Sequence, residues 1–146
     1  MRYEDTISFM LARVTTGFRN ALQRNMEEIG LNSGQIFLLL ELWKSDGQRQ
    51  VDIASRLGLS TPTINKMVKG LIEAGLVTRL RLEDDARSTR IFLTDRGWHK
   101  QDQVEDQWRE LEEEVVSSLT EAERLMFFEI LSKLRRSFTG VAEEEE

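Results

Sequence analysis

The stretch QVDIASRLGLSTPTINKMVKGLIEAG, Gln50 to Gly75, decides the fold. Ile53, Ala54 and Leu57 share one face of a short helix expected over about Val51 to Leu57. Gly58 breaks it. A second helix is expected after Thr61, with Pro62 at the first helical position, where no backbone donor is needed. Ile64, Met67, Val68, Leu71 and Ile72 form its inward stripe, and Gly75 ends it. Ala54 is small where the second helix must cross the first closely. Gly58 turns the chain sharply, since a left-handed conformation costs glycine little. Ile64 and Met67 pin the second helix onto the first. This small, glycine, apolar spacing is a helix-turn-helix signature. Helical hairpins in bundles share the spacing, so the segment alone leaves that plainer reading open.

Removing the inward stripe shows what the second helix offers to solvent: Thr61, Pro62, Thr63, Asn65, Lys66 and Lys69, with Ser60 just ahead of them. Short polar side chains at the N-terminal end suit base edges in a major groove, and lysines suit flanking phosphates. The free amides of the helix N-terminus also suit phosphate. An ordinary solvated face would mix both signs of charge, yet no acid appears before Glu73.

Working outward, Leu76 to Leu82 alternates with period two, placing Leu76, Thr78, Leu80 and Leu82 on one face and Val77, Arg79 and Arg81 on the other. Glu83 to Ser88 is a polar loop, and Thr89 to Leu93 a second strand. A hairpin in this position is the wing of a winged helix-turn-helix. Arg79, Arg81, Arg87 and Arg90 lie on or near it. Arg87, in the loop, can reach into a narrow minor groove, and Asp85 can orient it by a charge-assisted bond. The acids Glu83, Asp84 and Asp85 also fit a solvated, charge-balanced tip.

Upstream, Tyr3 to Ile29 reads as one long helix, with Ile7, Met10, Leu11, Val14, Phe18, Leu22, Met26 and Ile29 at helical spacing and Gly30 as its stop. Ser33 is placed to cap the next helix. Its run Ile36-Phe37-Leu38-Leu39-Leu40, continued by Leu42 and Trp43, is apolar nearly all round and therefore central. Asp46-Gly47 is a turn signal. Downstream, Thr94 caps a long helix to about Ser117, with Trp98, Gln101, Val104, Trp108, Leu111 and Val115 along one side. Thr120 and Glu123 form a capping box for a final helix with the stripe Leu125, Phe128, Leu131, Leu134 and Phe138, ended by Gly140. The expected fold is mainly α with a small β-hairpin wing. It is one structural domain made of a DNA-binding lobe (31–97), a helical dimerisation region (1–30 and 98–140) and a disordered acidic tail (141–146).

Composition narrows the function classes. The 146 residues suit one domain and contain no cysteine, which removes disulfides, thiolate metal sites and thiol-based sensing together. A single histidine, His99, leaves little for a histidine-rich metal site or a proton relay, and on a long helix it reads as a surface or packed residue. Glu112-Glu113-Glu114 points to different sides of a helix and reads as a solvated face. There is no glycine-rich phosphate loop, zinc spacing or Ser-His-Asp pattern, so neither an enzyme, a cofactor nor a metal is expected. Apolar runs are too short for a membrane span. The opening Met1-Arg2-Tyr3-Glu4-Asp5 is not a signal-peptide pattern, and a soluble cytoplasmic protein is the expectation. Net charge is −6, which taken alone speaks against nucleic acid. Residues 49–100, however, hold 10 basic and 6 acidic side chains, while 101–146 hold 5 and 14. Charges segregated beyond a Debye length of about 8 Å act separately, so the middle of an acidic chain can face a polyanion.

The run EDDARSTRIFLTDRG, Glu83 to Gly97, following LIEAGLVTR, Leu71 to Arg79, resembles the MarR family of bacterial transcriptional regulators. The resemblance covers nearly the whole chain. The family wing usually carries Asp-Arg-Arg; here Asp85-Ala86-Arg87 removes a phosphate contact from position 86 and keeps the one expected of Arg87. The resemblance implies a homodimer joined through its end helices, and apolar stripes longer than one small winged domain needs point the same way. Two recognition helices would then lie about one DNA turn, roughly 34 Å, apart on a pseudo-palindromic duplex site. A repressor acting by promoter occlusion is the expected role. The resemblance also implies the option of a small aromatic or phenolic effector, for which Phe18, Phe37, Trp43 and Trp98 are candidates, although aromatics at helical spacing read first as core. The competing reading is a winged-helix protein-interaction module that does not bind DNA.

Overall fold

The computed structural model describes residues 1–82 and 88–139, with the side chain of Thr139 excluded. The chain divides into two compact units, Met1–Leu111 and the residues from Glu112 onward. Among the described residues, no helix is long and apolar enough to cross a membrane.

The first unit opens with a short 3-10 turn, Tyr3–Asp5, before helix α1 (Ile7–Glu27). The expected helix therefore starts four residues late, because Thr6 is extended and its hydroxyl caps the Phe9 amide. Helix α1 changes character along its length. Ala21, Leu22 and Met26 are buried, whereas Ile7, Met10, Leu11 and Val14 face solvent. Gly30 ends it in the left-handed region, at φ 78°. Helix α2 (Ser33–Lys44) is capped by Asn32 rather than Ser33. Asn32 accepts from Gly34 and Gln35 amides, and Gln35 Oε1 accepts from the Asn32 amide, a reciprocal box that Ser33, with its shorter side chain already inside the helix, does not make. Ile36, Leu38, Leu39 and Leu42 are wholly buried, and α2 packs against its neighbours on α1, α3, α4 and β3. It is the central helix expected from its all-round apolarity.

Helix α3 (Gln50–Leu57) and helix α4 (Thr61–Glu73) form the helix-turn-helix. Gly58 closes α3 at φ 65°, ψ 34°, donating to the Ala54 and Ser55 carbonyls. Ser60 is the cap of α4, so Thr61 and Pro62 are its first two residues. Strands β1 (Gln48–Arg49), β2 (Val77–Arg81) and β3 (Thr89–Leu93) form an antiparallel sheet ordered β1-β3-β2. Strand β1 carries no alternation and is absent from the sequence reading. It forms because the Asp46-Gly47 turn returns the chain along the free edge of β3, where Asp46 Oδ1 accepts from the Leu93 amide at 2.8 Å. Thr94 Oγ1 accepts from the Gly97 amide at 3.1 Å, as expected of a cap, and also donates to the Gly75 carbonyl at 2.6 Å. It thereby fastens the start of α5 (Asp95–Val116) to the end of α4.

In the second unit, α6 (Glu121–Thr139) begins at the expected capping box. The Thr120 amide donates to Glu123 Oε1 at 3.0 Å, and the Glu123 amide donates to Thr120 Oγ1 at 3.2 Å. Leu125, Phe128, Leu131, Leu134 and Phe138 are all exposed. Gly140 and the acidic tail lie outside the described residues.

Candidate nucleic-acid interface

Helix α4 presents two faces, although Ile72 of the expected inward stripe, near the end of the helix, is 38% exposed. Ile64, Val68 and Leu71 are buried, while Ser60, Thr61, Pro62, Thr63, Asn65, Lys66 and Lys69 are exposed. Ser60 Oγ donates to Thr63 Oγ1 at 2.9 Å and accepts from the Thr63 amide at 3.3 Å, which stiffens the leading turn. Met67 is turned further toward α2 than its assigned role of pinning α4 to α3 suggested. A side chain built on Gly34 would stand 3.8 Å from its Cε.

Cations flank both sides of this helix. On one side, Lys66 and Lys69 line a hollow with Asn32, Gln35, Met67, Gly70 and Glu73. On the other, Arg79 and Arg81 line an open groove of about 810 Å³ together with Gln50, Thr61, Asn65 and Thr89. The sheet register explains the placement. Arg79 pairs with Ile91 and Arg81 with Thr89, whose side chains are buried on the helix side of the sheet. Paired residues share a face, so both arginines follow. Leu80 pairs with Arg90 on the opposite face. Arg90 is half-buried there, and its Nη1 donates to the Gly47 carbonyl at 2.8 Å. The four wing cations are thus not one set: Arg79 and Arg81 share the groove with α4, Arg90 ties the wing to the β1 turn, and Arg87 lies outside the described residues with Asp85.

Sequence reasoning passed over Gln50, which is 8% exposed and donates through Nε2 to Asn65 Oδ1 at 2.5 Å. Its only sequence signal was its place immediately before the expected helix. Arg49 forms a two-pronged ion pair with Asp52, at 2.9 and 3.1 Å. The hydrogen bond from Arg49 holds the Asp52 carboxyl below the usual carboxylate range.

The four aromatic candidates do not gather at one cavity. Trp43 lines a cleft of about 290 Å³ with Leu40, Gln101, Val104, Glu105, Trp108 and Arg109. Its indole donates to the Gly97 carbonyl at 3.0 Å. Phe18 packs on the core, while Phe37 and Trp98 are exposed, and none of the three lines that cleft. Trp108, read only as part of a helical stripe, takes the place given to Trp98. Among the described residues no three His, Asp or Glu side chains group as a metal site.

Known proteins share this fold. The MarR family model matches residues 31–89, which span α2 to the first residue of β3. A MarR transcriptional regulator from Methanosarcina mazei superposes with a TM-score of 0.83 over 97% of this chain and 94% of that one, at 23% identity. The chain has the fold of MarR regulators and matches the family model over its middle part. Among curated relatives, the HTH-type transcriptional regulator TtmR of Methylorubrum extorquens is 32% identical over 64% of this chain and 48% of its own length. The regulator BilQ of Clostridium symbiosum is 23% identical over 92% and 93%. The chain thus spans about half of the one and nearly all of the other. A MepR–DNA complex from S. aureus matches with TM-score 0.75 and 25% identity over 93% of this chain and 99% of that one. A Mycobacterium tuberculosis MarR family protein in complex with salicylic acid matches with TM-score 0.71 and 24% identity over 92% and 99%.

Proposed function

We propose that this chain is a MarR-type regulator: a sequence-specific duplex-DNA-binding repressor acting as a homodimer on a pseudo-palindromic operator. One observation carries the reading: an exposed, acid-free leading face on α4, with lysines on one side and the arginine-lined groove on the other. Helix α4 enters the major groove, its N-terminal residues meeting base edges and the flanking cations meeting phosphates. The MepR–DNA complex supports this docking by likeness of fold. Residues 31–97 serve as the DNA-binding lobe, and 1–30 with 98–140 as the dimerisation region. The exposed apolar residues of α1 and, separately, those of α6 support the dimer, since such stripes in solvent are unfavourable unless a partner covers them. Dimerisation doubles the basic face.

The proposal includes release by a small aromatic effector. A cleft of about 290 Å³ holding Trp43, Trp108 and Arg109 is the size of a single substituted ring, and the salicylic acid complex of the M. tuberculosis relative supports the ligand class. An effector acts only through unequal affinity for two spacings of the recognition helices.

The deciding experiment is duplex binding as a function of salt, using fragments selected from genomic DNA. Affinity that falls steeply and linearly in log–log form with salt is expected from counterion release. No duplex binding even at low salt would favour the protein-interaction module instead.

A further inference from the structure

We propose that Gln50 is a positioning residue that sets which end of the Asn65 amide faces DNA, and so which base the operator carries beneath it. The inference rests on the DNA-binding reading above. Asn65 stands one turn into α4, exposed and lining the groove between α4 and the wing. Its Oδ1 accepts from Gln50 Nε2 at 2.5 Å, and its Nδ2 makes no hydrogen bond to any described residue. Gln50 lies at the first position of α3 and is only 8% exposed, lining the same groove as Asn65.

The opposite pairing is disfavoured by the rest of the Gln50 amide. Gln50 Oε1 is buried without a hydrogen-bond partner among the described residues. Reversing the amide would put its NH2 group there, and a buried unpaired donor is rarer in proteins than a carbonyl with spare lone pairs. Gln50 therefore donates, Asn65 accepts, and the Asn65 NH2 group is the end left for the ligand.

That assignment has a consequence for readout. An asparagine reading adenine uses both ends of its amide, accepting from N6 and donating to N7. With Oδ1 turned toward Gln50, Asn65 presents its NH2 group outward. Guanine, with acceptors at both O6 and N7, matches that NH2 group; adenine sets its own N6 donor against it. Guanine is preferred over adenine beneath Asn65, by roughly tenfold, the scale of one good base contact.

The test is selection of binding sites from randomised duplexes by the full-length wild type, N65A, Q50E and Q50L, comparing base preference column by column so that overall reductions in affinity cancel. N65A should flatten one guanine column in each half-site. In Q50E the buried position becomes an acceptor, Asn65 turns its NH2 inward, and that same column should switch to adenine or cytosine, whose N6 or N4 donors match the exposed Oδ1. In Q50L neither end is held, and the guanine preference over adenine should disappear. An unchanged guanine column in a folded Q50E or Q50L protein, judged by circular dichroism, overturns the proposal, as does a column that survives N65A. If Q50E does not fold, Q50L decides alone. Failure of the wild type to select any duplex instead sinks the DNA-binding reading. The Gln50 contact is then still read in the free protein, where exchange of the Gln50 side-chain amide protons should quicken in N65A; unchanged exchange removes the contact.

Discussion

Gly97 lies against the backbone of Leu76: a Cβ at position 97 would overlap the Leu76 carbonyl oxygen and stand 3.1 Å from Leu93 Cδ2. That carbonyl accepts from the Thr94 amide at 3.0 Å, and the Gly97 carbonyl accepts from the Trp43 indole at 3.0 Å. The start of α5, the end of α4 and the central helix therefore meet at a point with no space for a methyl group. Gly97→Ala should destabilise the fold by about 2–3 kcal/mol, the upper range for overpacking, because the opposing atom is backbone and cannot rotate away. A denaturant midpoint shift at constant slope checks it; an unshifted midpoint would show that the junction yields.

Lys66 stands on the α2 side of α4, exposed, where a flanking phosphate would pass. Lys66→Ala should reduce the slope of log affinity against log salt by about 0.9 for each phosphate that the ammonium neutralises, leaving base preference intact. An unaltered slope means that Lys66 is only solvated.

Arg87, which falls between β2 and β3 in the sequence, should behave differently from Arg90. Arg87→Ala is expected to weaken operator binding by roughly 1–3 kcal/mol per contact, measured by titration on the selected operator. Arg90→Ala removes the bond to the Gly47 carbonyl and should lower thermal stability, with a smaller effect on the salt slope. Equal weakening of operator binding in the two variants would contradict the division of the wing cations.

Dimerisation is tested on each unit separately. Phe128 is 73% exposed and Val14 54% exposed in the single chain. Phe128→Glu and Val14→Glu should each cost roughly 2 kcal/mol or more of association per buried copy, the scale of an interface hot spot. Sedimentation at micromolar concentration should show a dimeric wild type and a shift toward monomer in each variant. Two variants as dimeric as the wild type would place the seam elsewhere.

Two carboxylates contribute to the acid limb of stability. Arg49 holds the Asp52 carboxyl below its ordinary value by a hydrogen bond, and the Thr120 backbone amide, then its side chain, does the same for Glu123. Both native values are depressed, so the ionised forms belong to the folded state. Their contribution is complete above the ordinary values of 3.8 and 4.5 and is lost as pH falls below them. Thermal midpoints should drop between about pH 5 and pH 2, and less steeply in an Asp52→Asn, Glu123→Gln variant. An identical drop would assign the acid sensitivity to other groups.

Much of this was legible from local pattern. Ile64, Val68 and Leu71 of the α4 stripe, the bounds of β3, the Thr120–Glu123 box and the exposed polar face from Ser60 to Lys69 all follow from a periodicity or a cap, and each is settled within a few residues of chain. Boundaries moved by one residue where a neighbour made the cap: Asn32 displaced Ser33, and the Ser60 cap starts α4 at Thr61 rather than at Pro62. What the amino-acid order determined by itself was therefore the set of elements and the side each shows to water, because hydrophobic burial and backbone capping act over one or two turns. The tertiary structure decided what stands beside what: β1 on the edge of β3, Arg79 and Arg81 on the α4 side while Arg90 faces the Gly47 turn, Trp108 rather than Trp98 beside Trp43, and Gln50 holding Asn65 across fifteen positions of chain. Such pairings depend on how preformed elements dock, and no spacing within a single element encodes the partner it will meet.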